Sequence, residues 1–207
     1  VLVSDSHRFL FVHVQKTGGV SVEHLLRPLI PDVRGLEGLT RHARLRQVLK
    51  AEPALASYWT VGFVRNPWAR LLSWYGMVQR FRELAEKGSP KAQRFLGGGG
   101  FMAGVARDYP DFEQFVLRGP DDWPRLRTPQ VAYLRAPGRE ADFVGRTESF
   151  EADVRRVMLH LGLPTPDSVP RDNAAPPRDY RTEYTPAMRD RVAEVFAPDL
   201  EAFGYSF

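Results

Sequence analysis

The run from Phe9 to Gly19, F-L-F-V-H-V-Q-K-T-G-G, constrains the fold more than any other feature of this chain. Phe9 to Val14 is apolar except for His13, has strand length, and suits a buried strand of a parallel sheet. Beyond Gly19 the period changes. Val22, Leu25, Leu26, Leu29 and Ile30 fall at helical spacing, and Pro28 marks the last turn or a kink. The chain therefore opens as strand, glycine loop and helix. A helix start presents free backbone N–H groups and a partial positive charge. Gly18 and Gly19 let that backbone approach a ligand, Lys16 adds a full charge, and Thr17 and Ser21 add hydroxyls. The loop reads as a cradle for a phosphate or a sulfate.

It is not a Walker A loop. That motif, G-x-x-x-x-G-K-[ST], places glycines at the positions held here by Leu10 and Gln15. A dinucleotide-binding G-x-G-x-x-G is also missing, and no acidic strand end suited to magnesium follows.

A second motif repeats the theme. Trp59 to Arg65 reads as a strand, and Asn66-Pro67 starts a helix, with Asn as N-cap and Pro at the first helical position. Arg65 sits at the strand end, and Arg70 and Ser73 share a face of the helix. A guanidinium fork and a hydroxyl there make a second anion site. Two such sites at neighbouring strand ends suggest a ligand with two separated phosphate-like groups.

The rest of the chain completes an α/β pattern. His42 to Lys50 reads as a short helix and Ala141 to Arg146 as a third strand. Ser149 to Leu161 reads as an amphipathic helix stopped by Gly162, and Thr185-Pro186 starts a last helix. The stretch from about Gly76 to Arg139 is the least regular and most polar. It reads as a variable, acceptor-facing insertion of about 76–140 in a single domain of 1–207. Strands separated by helices imply a central, mostly parallel sheet flanked by helices, a P-loop-like three-layer domain.

Composition narrows the function classes. With no cysteine, disulfides, thiolate metal sites and a cysteine nucleophile are excluded. The balance of 29 basic and 25 acidic residues fits anionic ligands but does not argue for nucleic acid, and only four of the basic residues are Lys. No apolar run reaches a membrane span and no signal peptide is visible, so a soluble, cytoplasmic protein is expected. No metal cluster is expected.

The two motifs, F-V-H-V-Q-K-T-G-G and F-V-R-N-P-W-A-R-L-L-S, resemble those of sulfotransferases that use 3′-phosphoadenosine 5′-phosphosulfate (PAPS), in particular the carbohydrate branch. His13 to Gly19 is similar to the opening motif of heparan sulfate 6-O-sulfotransferases, and small bacterial members of the branch match in length. Phe143 to Phe150, Asn173, Arg178-Asp179-Tyr180 and Asp199 to Phe207 extend the likeness. Val20 departs from it, since the family often has Thr or Ser there.

The resemblance implies that Gln15, Lys16, Thr17, Gly18, Gly19, Val20 and Ser21 hold the 5′-phosphosulfate. It implies that Arg65 and Ser73 hold the 3′-phosphate and that Arg178 closes over the cofactor. The implied reaction is in-line, metal-free sulfuryl transfer to a hydroxyl-bearing acceptor, a carbohydrate or small metabolite, leaving 3′-phosphoadenosine 5′-phosphate (PAP). Lys16 neutralises the leaving oxygen.

The acceptor needs a general base, for which His has the right unperturbed pKa. The resemblance favours His42 over His7, His24 and His160; His13, Glu23 and Glu148 remain alternatives. Arg80, Arg82, Arg94, Arg107, Arg125 and Arg127 are candidates for an acidic sugar, and Tyr109 and Trp123 for stacking on the acceptor. Two other classes stay open: a P-loop-like nucleotide kinase or NTPase, and a non-catalytic PAP-binding module.

Overall fold

The computed structural model describes residues 1–169 and 179–207. In chain order the elements are β1 (Leu2–Ser4), β2 (Phe9–Val12), α1 (Gly19–Leu26), α2 (Leu45–Ala51), β3 (Trp59–Val64), α3 (Pro67–Glu86), α4 (Pro90–Gly97), α5 (Phe101–Asp108) and α6 (Phe112–Asp122). There follow the single turns α7 (Pro124–Arg127) and α8 (Val131–Leu134), a hairpin of β4 (Arg135–Ala136) and β5 (Arg139–Glu140), then β6 (Phe143–Arg146), α9 (Phe150–His160), α10 (Pro186–Val195) and α11 (Ala197–Phe203). These residues form two compact units: 1–65 with 130–169, and 66–129 with 179–207.

The first unit is the α/β part. Its sheet has the order β1-β2-β3-β6. β2 and β3 pair in parallel, with Val12 opposite Gly62, and β3 and β6 pair in parallel, with Val64 opposite Arg146. Only β1 runs antiparallel, against β2. Successive side chains of a strand point to opposite faces. On one face Phe9, Phe11, Val61 and Phe63 pack with Val22 and Leu26 of α1 and with Phe150, Val154 and Val157 of α9. On the other, Leu134 of α8 fills the space left by Gly62, where an added Cβ would lie 2.3 Å from a Leu134 δ-carbon. Both faces are therefore covered, which is why Phe9 to Val12 is apolar throughout.

The second unit is helical. Asn66 caps α3, accepting a hydrogen bond from the Trp68 N–H through its side chain, with Pro67 in the first turn. Trp68, Leu71, Trp74 and Val78 of α3 pack with Val105, Tyr109, Phe115, Val116, Met188, Val192 and Phe196. The stretch read as the least regular is thus mostly helix. α3 runs to Glu86, and α4, α5 and α6 follow with caps from Ser89 and Asp111. The physical reason is that α4, α5 and α6 have only 8, 8 and 11 residues, so packing rather than local propensity fixes them.

Two further local readings change. α2 starts at Leu45, so His42 lies in the turn before the helix and not at its start. Tyr109 is fully buried and donates its hydroxyl to Asp122 Oδ2 at 2.6 Å, so it is a core residue and offers no stacking face.

Candidate active site

The loop between β2 and α1 carries the first motif. Lys16 adopts φ +67° and Gly18 φ +80°. The left-handed region costs a non-glycine residue roughly 1–2 kcal/mol, so the fold holds Lys16 against a local preference. Thr17 Oγ1 donates to the Val14 carbonyl at 2.9 Å and is buried, which closes the loop on itself. Its hydroxyl hydrogen therefore points into the loop. Gly18 and Gly19 are required from the inside as well. A Cβ on Gly18 would lie 2.6 Å from the Phe150 ring, and one on Gly19 2.4 Å from the His13 ring. α1 begins with Gly18 as its cap, which has no side chain to bond the first turn. Gln15 and Ser21 are buried, whereas Lys16 and Val20 are half-buried.

Arg65 follows β3, and its main chain is clamped by the buried Gln130. The Gln130 Oε1 accepts from the Arg65 N–H at 2.9 Å, and the Gln130 Nε2 donates to the Arg65 carbonyl at 2.7 Å. Burial, and next the positive charge of Arg65, pull the Lys16 ammonium down to about 8. Two cations that disfavour each other across a glycine loop form an arrangement that a bound anion relieves. The residues present thus fit a phosphate or sulfate ester.

His42 docks on the same loop. Its Nδ1 lies 3.0 Å from the His13 carbonyl oxygen. A carbonyl only accepts, so Nδ1 carries the proton and Nε2 carries the lone pair. The two rings meet edge to face, with centroids 4.5 Å apart at 75°. Burial, then the neighbouring His13, lower the His42 imidazole to about 4.

His13 is buried and its Nδ1 donates to Glu23 Oε1 at 2.6 Å; Arg41 Nη2 donates to Glu23 Oε2 at 2.7 Å. Burial lowers the His13 imidazole despite that bond. Burial pushes Glu23 the other way, but the His13 hydrogen bond, the His13 charge and Arg41 together bring it down to about 2.

The other sequence candidates lie on other elements. Ser73 is half-buried on α3, in the second unit. Arg70 of the same helix is turned into that unit's core, where it donates to the Thr128 carbonyl and lies 6.0 Å from the Phe196 ring centroid. Arg178 and Asn173 lie outside the described residues. His160 stacks on Trp59 at 3.6 Å, His7 bonds Ser4 and Ser6, and Glu148 is exposed before α9. Arg82 donates to the Ala106 and Tyr109 carbonyls, Arg107 pairs with Asp108, and Arg125 lies over Phe101. Trp123 packs against Gly104. Arg80, Arg94 and Arg127 are exposed.

Sequence reasoning missed the Glu23–Arg41 pair and Gln130. A signal for the first exists: Gly19, Val22, Glu23 and Leu26 share the buried face of α1, and a carboxylate there needs partners.

The Sulfotransferase family model matches residues 1–206. The chain belongs to that family. It is similar to carbohydrate sulfotransferase 14 of Mus musculus, 27% identical over 176 residues, covering 79% of this chain and 47% of the mouse protein. It is also similar to carbohydrate sulfotransferase 14 of Homo sapiens, 25% identical over 224 residues, covering 99% of this chain and 60% of the human protein. The chain thus spans roughly half the length of these relatives. No solved structure is significantly similar. The mostly parallel sheet flanked by helices is consistent with the sulfotransferase fold. Among the described residues no helix is long and apolar enough to cross a membrane, and no cluster of His, Asp and Glu is arranged to hold a metal.

Proposed function

We propose that this chain transfers the sulfuryl group of PAPS to a hydroxyl of a carbohydrate or small metabolite. The observation that carries the reading is the loop from His13 to Gly19. It holds Lys16 beside the charge of Arg65 and receives His42 on the carbonyl of His13. The family match and the names of the two relatives support the reaction class and a sugar acceptor.

When bound, PAPS supplies an activated sulfuryl group with a phosphate as the leaving group. Lys16, the Gly18 and Gly19 backbone and the start of α1 hold the 5′ end, with Gln15, Thr17, Val20 and Ser21 shaping the cradle. Lys16 also places a positive charge where the leaving oxygen becomes more negative. Arg65, fixed by Gln130, takes the 3′-phosphate. The assignments of Ser73 and Arg178 to the cofactor rest on the sequence resemblance. His42 Nε2 accepts the proton of the acceptor hydroxyl, and its lowered pKa keeps it neutral and ready to do so in the free protein. The reading of Arg80, Arg94 and Arg127 as contacts for an acidic acceptor rests on the sequence and on their exposure.

Calorimetric titration with PAP, with ATP plus magnesium as the control, tests the reading. The expected result is tight PAP binding that is indifferent to magnesium and weakened by Arg65→Ala. Magnesium-dependent ATP binding without PAP binding would replace this reading with a nucleotide kinase. PAP binding without turnover of labelled PAPS on any acceptor would replace it with a non-catalytic PAP-binding module.

A further inference from the structure

Glu23 is a carboxylate on the buried face of a short helix, its side chain 8% exposed, and both of its oxygens are engaged. Oε1 takes the His13 Nδ1–H at 2.6 Å and Oε2 takes Arg41 at 2.7 Å. The transfer reaction described above gives neither Glu23 nor the His13 ring a role. A structural explanation alone is thin, because a hydrophobic pair at positions 13 and 23 would cover the same space without burying charge.

What the pair does is fix a ring. Glu23 accepts from Nδ1, so the His13 imidazole is oriented about both of its side-chain torsions. On one side that ring rests against Gly19, where no Cβ intrudes. The ring also meets Phe11 at 5.8 Å and His42 at 4.5 Å, and the main-chain oxygen of the same His13 takes the His42 Nδ1–H. His42 is therefore held twice by one residue, by its carbonyl and by its ring, and Glu23 sets that residue.

We propose that Glu23 is a positioning residue: acting through His13, it holds His42 with Nδ1 protonated and Nε2 free to take a proton. The proposal rests on the reading of His42 as the base. Which imidazole nitrogen carries the proton is set by the bond the other one makes. Outer partners of this kind typically change activity by about 10- to 100-fold when removed from a histidine they orient, as established for metal-ligating imidazoles. The titratable and charged groups around His42 are His13, Glu23 through His13, and Arg41.

The test uses the whole chain labelled with nitrogen-15 at histidine. Ring-nitrogen shifts and couplings report the tautomer of His42 without any cofactor, and His42→Ala assigns its signals. The expected result is the Nδ1–H form in the unmodified protein, changing to a mixture in Glu23→Gln. In the same variant kcat falls by about 10- to 100-fold while the Kd for PAP moves less than about threefold, a split that general loosening of the fold does not produce. An Nε2–H tautomer in the unmodified protein overturns the proposal. So does a Glu23→Gln protein that keeps both the tautomer and kcat. Should Glu23→Gln fail to fold, Arg41→Gln, at a half-exposed side chain, is expected to shift the same signals, and unchanged signals there overturn the proposal. Failure of the base reading looks different: His42→Ala keeps turnover while the tautomer of the unmodified protein stands.

Discussion

The two units handle polar groups in opposite ways. In the first, polar side chains gather at the ends of strands whose interior is apolar: Lys16, Arg65, His13, His42 and Glu23 lie on or beside loops that leave β2 and β3. In the second, polar groups serve the core itself. Tyr109 bonds Asp122, Arg70 reaches the Thr128 carbonyl, and the Trp68 indole donates to the Arg189 carbonyl at 3.0 Å. The lesson is that a sheet supplies its own backbone partners and frees side chains for chemistry. Side chains satisfy carbonyls in both units, but in the first they do so at strand-end loops, Gln130 at Arg65 and His42 at His13, and in the second beside the aromatic core, Arg70 at Thr128 and Trp68 at Arg189.

The sharpest way to break this contrast is to remove the polar groups of the first unit. Lys16→Ala is expected to lower kcat by about 10²–10³-fold and His42→Ala by about 10²–10⁴-fold, both read with labelled PAPS and an active acceptor. Full turnover in either variant would mean that the chemistry lies elsewhere. Next in size, Phe115→Ala in the second unit should cost about 3–5 kcal/mol in the denaturant midpoint, as large aromatic deletions do. A cost below about 1 kcal/mol would show that the aromatic core of that unit is not close-packed.

The pH profile of kcat/KM sharpens the contrast further, because it reports the free enzyme. As the proposed base His42 must be neutral, and it is held at about 4, so activity should persist well below the ordinary histidine value and fall only as pH approaches 4. Lys16 must be charged and is held at about 8, so activity should fall above pH 8, by up to about tenfold per unit. An acid limb at the unperturbed histidine value of about 6.5 would argue that His42 is not desolvated in solution. The smallest effect concerns the loop backbone. Lys16→Gly relieves the left-handed strain and should raise the melting temperature by a few degrees, corresponding to about 0.5–1 kcal/mol, while lowering kcat as Lys16→Ala does. A lower melting temperature would mean that the Lys16 stem contributes more to packing than its φ costs.

Much of the fold was legible where its signals are local. The apolar run at Phe9, the Asn66-Pro67 start, the Gly162 stop at φ +67° and the Thr185-Pro186 start all act within a few residues. β1 was missed because three residues carry no period, and it exists through pairing with β2. The helices between Gly76 and Arg139 were hidden by a run of four glycines at 97–100, by Pro120 inside α6 and by aromatics spaced too irregularly for one stripe. Their order comes from tertiary contacts. At the site, residue types and loop position were readable from spacing. The His42 tautomer and the Gln130 clamp were not, since both depend on carbonyls distant in sequence, at His13 and Arg65.

The bond from Thr17 Oγ1 to the Val14 carbonyl has a kinetic consequence. A loop stitched by its own side chain keeps its shape before any ligand arrives, so an arriving nucleotide meets a finished mould. Little chain entropy is then lost on entry, and encounter rather than rearrangement sets the association rate. Rapid mixing with PAP should accordingly give one phase whose rate rises in proportion to concentration, without the plateau of a loop that must first order itself.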